Sequence, residues 1–473
     1  MINGAQRVSG WTLTNPSKEI WSAAVPPGLT TRQIYVDGVR ASLTTGRSPV
    51  GLKQTRMGYI ATAPTMAGWR NPSGIEFVYT SEISLNTEAI CPIGTIVGAS
   101  ITMAQPCWAN STRRRWNGVG FNSVNTPTYV EDAYEMLDQP GQFYLDSAAH
   151  RLYYIPRQGQ DMQSADVEVP VLQTLVTGDG TSRAPIHNIT FANLQFSYAT
   201  WLQPSTPEGF SEIQTGYTVT GLTGYAKQGL CHLAPGGSCP YGTWSKEPGN
   251  IHFRYARDLW FLNDRFVHLG AAGLSLGDGS QYDNVEECVF TDISGNGLEI
   301  GDVDLPNAKA NSQTIGNTVT NNHLYGIPVE YHGGVPILVG YAAHTLISHN
   351  QIDHTPYAGI SLGWGGWLDK DRQPPVPNFS HDNLISNNLI FDFMQDLKDG
   401  GGVYTQGIQG WSMSTGLKIT GNVIHNQLDW GGALKADNGT TYVTYARNVF
   451  TTTHMTGTAP IGTTGQAQAP PIR

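Results

Sequence analysis

Residues 346–352 read LISHNQI and residues 384–390 read LISNNLI: a short apolar strand, an asparagine, and the start of another short strand. The pattern recurs in ITFANLQF at Asn193, LWFLNDRF at Asn263, TIGNTV at Asn317, KITGNVI at Asn422 and TYARNVF at Asn448. From Asn317 onward the asparagines follow at intervals of 33, 38, 34 and 26 residues, and Glu287 in VEECVF divides the longer gap before them. Repeats of this size, built of short strands without a helical period, describe coils of a parallel β-solenoid. Stacking sets equivalent side chains about 4.8 Å apart, so an asparagine in one turn reaches its counterpart in the next and satisfies buried turn backbone. Most of these asparagines are therefore expected to be structural.

A second marker runs in phase with the first: GLSLG at 273–277, GLEIG at 297–301 and GISLG at 359–363, with looser forms at 335–340, 402–407 and 433–437. Alternation along such strands points one set of side chains into the stack and the other outward, along a lengthwise face where a ligand groove would lie. Residues 1–180 lack the asparagine marker and read as an antiparallel β lobe, with Asp37-Gly38 a hairpin signal. The fold expected is thus all-β: a right-handed parallel β-helix over 181–450, an N-terminal antiparallel lobe, an insertion at 201–249 and a tail at 451–473. Long insertions in a repeat body commonly wall a site.

Only 14% of the 473 residues are charged, the formal net charge is −10, and Gly and Pro number 55 and 28. An acidic, glycine-rich chain of tight turns argues against nucleic acid or an anionic membrane as partner and favours a neutral ligand. Nothing approaches eighteen uninterrupted apolar residues, and the start, MINGAQRVSGW, shows no export signal. Cys91 with Cys107, and Cys231 with Cys239, have spacings open to disulfides in an exported protein and not to a metal site, whereas Cys288 reads as a core residue. An extracellular or periplasmic location is expected, with oligomeric state left open.

The common nucleophile, phosphate-loop and zinc patterns are absent, and no cofactor or metal is expected. What remains is a concentration of carboxylates and aromatics on consecutive coils: Glu330 and His332; Trp364, Trp367, Asp369 and Asp371; Asp392, Asp396, Asp399 and Tyr404; Asp429, Trp430, Lys435 and Asp437. Cleaving a glycosidic bond needs one protonated carboxyl to assist the leaving oxygen and a second carboxylate to attack or to activate water, and aromatic faces seat sugar rings. Each residue also has a plainer reading. An Asp in a solenoid turn bonds its own backbone, Gly400 to Gly402 after Asp399 make either a close approach for a ligand or a tight corner, and Lys435 is an ion-pair partner before it is a base.

At these residues the chain resembles bacterial proteins of the pectin-lyase-like superfamily. The segments NDRFVHLGAAGLSLGDGSQ, VEYHGGVPILVGYAAHTLISHNQI, PYAGISLGWGGW, DGGGVYTQG and DNGTTYV carry the likeness, which is greatest to glycoside hydrolase family 141. The resemblance implies a hydrolase of fucoside- or xylan-type glycans whose catalytic pair is Asp399 and Asp437, with Glu330, His332, Trp364, Trp367, Tyr404, Asp429 and Lys435 around an oligo- or polysaccharide. The family's Asp-Glu-Gly-Ser-Ser is here Asp437-Asn438-Gly439-Thr440-Thr441, and the strand segment that precedes the lobe in that group is expected to be missing. Aligning GVYT with ALKA sets Asp437 beside Gln406 and Asp399 beside Trp430, at opposite ends of the strand; a one-residue shift would pair Asp399 with Asp429 instead. Carboxyls about 5–5.5 Å apart would retain anomeric configuration and about 6.5–9.5 Å would invert it. The alternatives are a polysaccharide lyase or epimerase, which needs clustered cations or Ca²⁺ for a polyanion, and a non-catalytic carbohydrate-binding β-helix.

Overall fold

The computed structural model describes residues 1–80, 85–113, 126–227, 244–363, 378–437 and 439–451, together with the backbone of the short strands Arg115–Trp116, Val119–Gly120 and Ile461–Thr463. Among the described residues, three long parallel sheets of nine, nine and eight strands run the length of the body. The first contains Gln195–Ser197, Arg265–Leu269, Gln351–Asp353 and Leu389–Phe393. The second contains Gly249–Arg254, Ala272–Leu276, Leu298–Ile300, Ile337–Val339, Ile360–Leu362, Gly400–Thr405 and Gly431–Ala436. The third contains Leu346–Ser348, Leu384–Ser386 and Leu417–Thr420. Each coil contributes one strand to each sheet, and the inward positions stack in file: Phe196, Phe266, Phe290, Leu324, Ile352, Ile390 and Ile424 on the first sheet. Phe266 and Phe290 lie face to face with centroids 4.4 Å apart. The continuous apolar stack is the core of the protein, and the architecture is a right-handed parallel β-helix.

The asparagine marker resolves into two positions. A buried ladder runs through Asn322, Asn350, Asn388, Asn422 and Asn448, each Nδ2 but the last donating to the next Oδ1 at 2.9–3.0 Å. Each Oδ1 also accepts the backbone N–H of the residue below it, and each Nδ2 donates to a carbonyl of the third sheet. Asp264 and Cys288 hold the same slot on earlier coils: Asn322 Oδ1 accepts the Cys288 N–H at 2.8 Å, and Asp264 Oδ1 accepts the N–H of Leu194. Asn193, Asn263 and Glu287, grouped with the ladder from sequence, sit one residue earlier, where the chain passes through positive φ (56°, 52° and 56°). Asn317 belongs to another turn and accepts the N–H of Asp283. Asn350→Ala strands two donors of Asn322 and the Val319 carbonyl; a buried group left without a partner costs about 1–3 kcal/mol. The expected loss is about 3 kcal/mol in a denaturant melt, with a much smaller loss for Asn263→Ala at its exposed position.

Among the described residues the N-terminal lobe has four sheets, of seven, five, four and two strands, antiparallel save for one parallel pair, Gln142–Asp146 with Ser42–Leu43. Its Tyr35–Val36 and Val39–Arg40 hairpin turns on Asp37 and Gly38, both at positive φ. Cys91 and Cys107 form a disulfide, with Cα atoms 5.7 Å apart; Cys231 and Cys239 lie outside the described residues. The expected absence of a strand ahead of the lobe is corrected: Ile2–Asn3 pairs in parallel with Phe196 and Ser197 and starts the first sheet. The second sheet likewise begins before 181, at Val176–Asp179, and includes Ile461–Thr463. The insertion forms a three-stranded antiparallel sheet of Glu212–Gln214, Tyr217–Val219 and Trp244–Lys246. Among the described residues no helix is long and apolar enough to cross a membrane.

Candidate functional site

The outward file of the second sheet is Ser275, Glu299, Leu338, Ser361, Tyr404 and Lys435. It is covered, not an open trough: Tyr217 and Val219 of the insertion pack with Leu338, Tyr341, Tyr357, Leu397 and Tyr404 over the middle coils. Beyond that apolar plug the strands Gly400–Thr405 and Gly431–Ala436 carry the two aspartates. Their register sets Val403 beside Leu434 and Tyr404 beside Lys435, so Asp437 follows the strand end next to Gln406. At the other end the Asp399 N–H donates to the Trp430 carbonyl at 2.8 Å. The one-residue shift that would pair Asp399 with Asp429 does not occur; Asp429 pairs with Lys398 at 3.1 Å.

Although the aspartates flank opposite ends, two adjacent side chains link them. Lys435, itself 2% exposed at the side chain, donates from Nζ to Asp399 Oδ1, and the Tyr404 hydroxyl donates to Asp437 Oδ2. Asp399 is a quarter exposed and Asp437 is 6% exposed. Burial raises the Asp399 pKa above the usual carboxylate range; Lys435 opposes the rise and the charge of Asp437 adds to it. Burial likewise keeps the Tyr404 and Tyr357 phenols neutral. Trp430, half exposed, lies over the Lys435 ammonium with its ring centroid 4.6 Å away.

The glycines after Asp399 make room for packing. A Cβ at Gly400 would meet the Tyr357 ring at 2.6 Å, one at Gly401 the Gly432 carbonyl at 2.7 Å, and one at Gly402 the Ile424 side chain at 2.6 Å. This is the tight-corner alternative: the bare backbone admits Tyr357, whose hydroxyl donates to the Asp399 carbonyl at 3.1 Å. Gln214 of the insertion donates to Tyr357, and Asn86 of the lobe also bonds it. Trp430 carries a signal in the sequence, its alignment with Asp399, whereas Tyr357, Gln214 and Asn86 carry none.

The other expected sugar contacts separate. Trp364 and Trp367, with Asp369 and Asp371, lie outside the described residues. Tyr404 is fully buried and supports Asp437 from beneath. Glu330 and His332 are corrected as partners of the pair: both face the lobe. Glu330 accepts from Arg40 at 2.6 Å and Gln33 at 2.8 Å, and His332 lies 3.2 Å from Glu88. They line a separate cavity of about 260 Å³ with Arg32 and Glu131. Burial alone would lower the His332 pKa, but the Glu88 carboxylate raises it to about 9. A raised histidine contributes stability that is full below its unfolded pKa and is lost as pH rises through the folded one. Melting temperature is therefore expected to fall from about pH 6.5 to pH 9, and His332→Gln to flatten that fall. Among the described residues, one group of three, His344, His381 and Asp382, brings possible metal-ligand atoms within 4.8 Å of one another.

Comparisons with known proteins agree with this architecture. Residues 251–468 match the family described as "Right handed beta helix region". A solved structure described as "Glycoside hydrolase" superposes with a TM-score of 0.76 at 24% identity, over 98% of this chain and 81% of that one. Two others are more distant. One is XylC in complex with xylose (TM-score 0.43, 12% identity, 94% and 58% of the two chains), and the other is the A-module of the Azotobacter vinelandii mannuronan C-5 epimerase AlgE4 (0.34, 12%, 47% and 57%). No curated protein matches in sequence.

Proposed function

We propose that this protein is a glycoside hydrolase that cleaves a plant or microbial glycan, of fucoside or xylan type, with Asp399 and Asp437 as its carboxylate pair. The observation that carries the reading is the linked cluster Asp399–Lys435 and Tyr404–Asp437 beside the half-exposed Trp430. Asp399, with its pKa raised, holds the proton for the leaving oxygen, and Lys435 stabilises the carboxylate left behind. Asp437, accepting from a neutral phenol, stays the acceptor that attacks or activates water. Trp430 offers its free face to a sugar ring. Asp429, at the same end and 38% exposed, is a candidate for a sugar hydroxyl.

A lyase or epimerase needs a free cation for the uronate carboxylate, and here Lys435 is already committed to Asp399. The disulfide suits the oxidising extracellular or periplasmic setting of a glycan-degrading enzyme. The test is release of reducing ends or aryl alcohol from a panel of aryl glycosides, xylan and fucosylated polysaccharides. Turnover of at least one is expected without absorbance from an unsaturated uronate; binding without turnover across the panel would favour a non-catalytic role.

A further inference from the structure

The corner between the second and third sheets gathers two histidines and a carboxylate that the proposed chemistry does not use. Ala343 pairs in parallel with His381, which sets His344 beside Asp382 on the next coil, both at positive φ (51° and 52°). The His344 N–H donates to the His381 carbonyl at 3.0 Å, so the two corners stack directly. The imidazole rings meet edge to face, with centroids 4.7 Å apart at 86°. His381 Nδ1 lies 2.8 Å from Asp382 Oδ2. Trp411, from the corner of the following coil, packs against the His381 ring at 4.3 Å and is itself tied through Nε1–H to the Asn378 carbonyl at 3.1 Å. Three neighbours thus hold the His381 ring, which is 13% exposed at the side chain, while His344 meets solvent.

The donor atoms narrow the ligand. One nitrogen of each histidine and one carboxylate oxygen lie within 4.8 Å of one another. Donors about 2.0–2.2 Å from a tetrahedral zinc ion stand about 3.3–3.6 Å apart, and rotation of the exposed His344 ring closes the remaining gap. His381 and Asp382 are already closer than that, and a cation between them takes the place of the proton they share. Two imidazoles select zinc, nickel or copper. Calcium takes about six or more oxygen ligands and magnesium a near-ideal oxygen octahedron, which one carboxylate does not supply. Solvent on the His344 side leaves room for water to complete the coordination. Zinc motifs of short spacing miss the group, because its histidines are one coil apart and only the stacking of the corners joins them.

We infer that His344, His381 and Asp382 bind one divalent transition-metal ion, zinc or a metal of similar ligand preference, which fastens the corner of one coil to that of the next. The three donors come together only in the folded chain, so the ion binds the native state and stabilises it by mass action. The inference does not rest on the hydrolase reading: its residues and its readout are separate from turnover.

The test is titration calorimetry of the EDTA-dialysed whole chain with zinc chloride and, separately, calcium chloride, alongside thermal melts with and without zinc. The proteins compared are the unmodified one, His344→Ala, His381→Gln, Asp382→Asn and His187→Ala, the last an exposed histidine on another coil. One zinc per chain is expected. Affinity should fall at least about tenfold in each of the three ligand variants, since losing even an outer partner of a metal ligand costs about 10–100-fold, and stay unchanged in His187→Ala. Zinc should raise the melting temperature of the unmodified protein and of His187→Ala but not of His344→Ala. His344→Ala removes an exposed side chain, so without zinc it should melt with the unmodified protein. No zinc binding, unchanged affinity in the three ligand variants, an equal loss in His187→Ala, or calcium bound as tightly as zinc would overturn the proposal.

Discussion

Asp399→Asn and Asp437→Asn are each expected to lower kcat by about 10²–10⁴-fold, the range for removing a positioned acid or base, with the fold intact. The reason for expecting little structural cost is specific to each position. Asparagine at 399 keeps an oxygen to accept from Lys435, and asparagine at 437 keeps one to accept from Tyr404. An activity loss with a melting temperature within a few degrees of the unmodified protein separates chemistry from folding. Near-normal turnover in both variants would remove the pair from the mechanism.

Lys435→Met is expected to act on the pH dependence of the reaction as well as on its rate. Asp399 is raised by burial and by Asp437, while Lys435 holds the rise in check. Removing the ammonium leaves burial unopposed, so the alkaline limb of kcat/KM, which reports the acid, moves to higher pH. Stability moves with it. A carboxyl whose folded pKa exceeds its unfolded value costs stability once pH rises past the unfolded value, and the variant ionises Asp399 without a partner. The destabilisation should reach about 2 kcal/mol at pH 8 and shrink toward pH 4. That is below the range for fully enclosed pairs because a quarter of the Asp399 side chain meets water. A pH profile with an unmoved alkaline limb would mean that Asp399 is not the acid.

Much of the architecture is written locally, and those parts were legible. LISHN and LISNN announce coils because a strand, a left-handed residue and a buried amide must follow one another in every turn. What misled was the residue before the ladder. Asn321–Asn322 and Asn387–Asn388 set a positive-φ residue ahead of a ladder amide, while Asn193 and Asn263 occupy only the first of the two positions. The 28-residue interval from Asn322 to Asn350 and the 34 from Cys288 to Asn322 were the available signal.

The candidate site divides along the same line. Its strand register, and so the placing of Asp399 by Trp430 and of Tyr404 by Lys435, follows from matching two neighbouring coils. Gln214 and Asn86 approach Tyr357 from the insertion and the lobe, over sequence distances that no periodicity spans. Glu330 and His332 lay on an acidic, aromatic coil and read as groove residues. Arg40, Gln33 and Glu88 claim them only because the lobe folds back onto that coil.

The central claim is that one sugar bond is held between Asp399 and Asp437. The most direct measurement is a crystal structure of Asp399→Asn soaked with an oligosaccharide that the unmodified protein cleaves. A glycosidic oxygen within hydrogen-bond reach of residue 399, with Asp437 facing the same sugar and Trp430 against its ring, is the predicted result. An oligosaccharide bound only elsewhere, with both aspartates bare of sugar, would contradict the account.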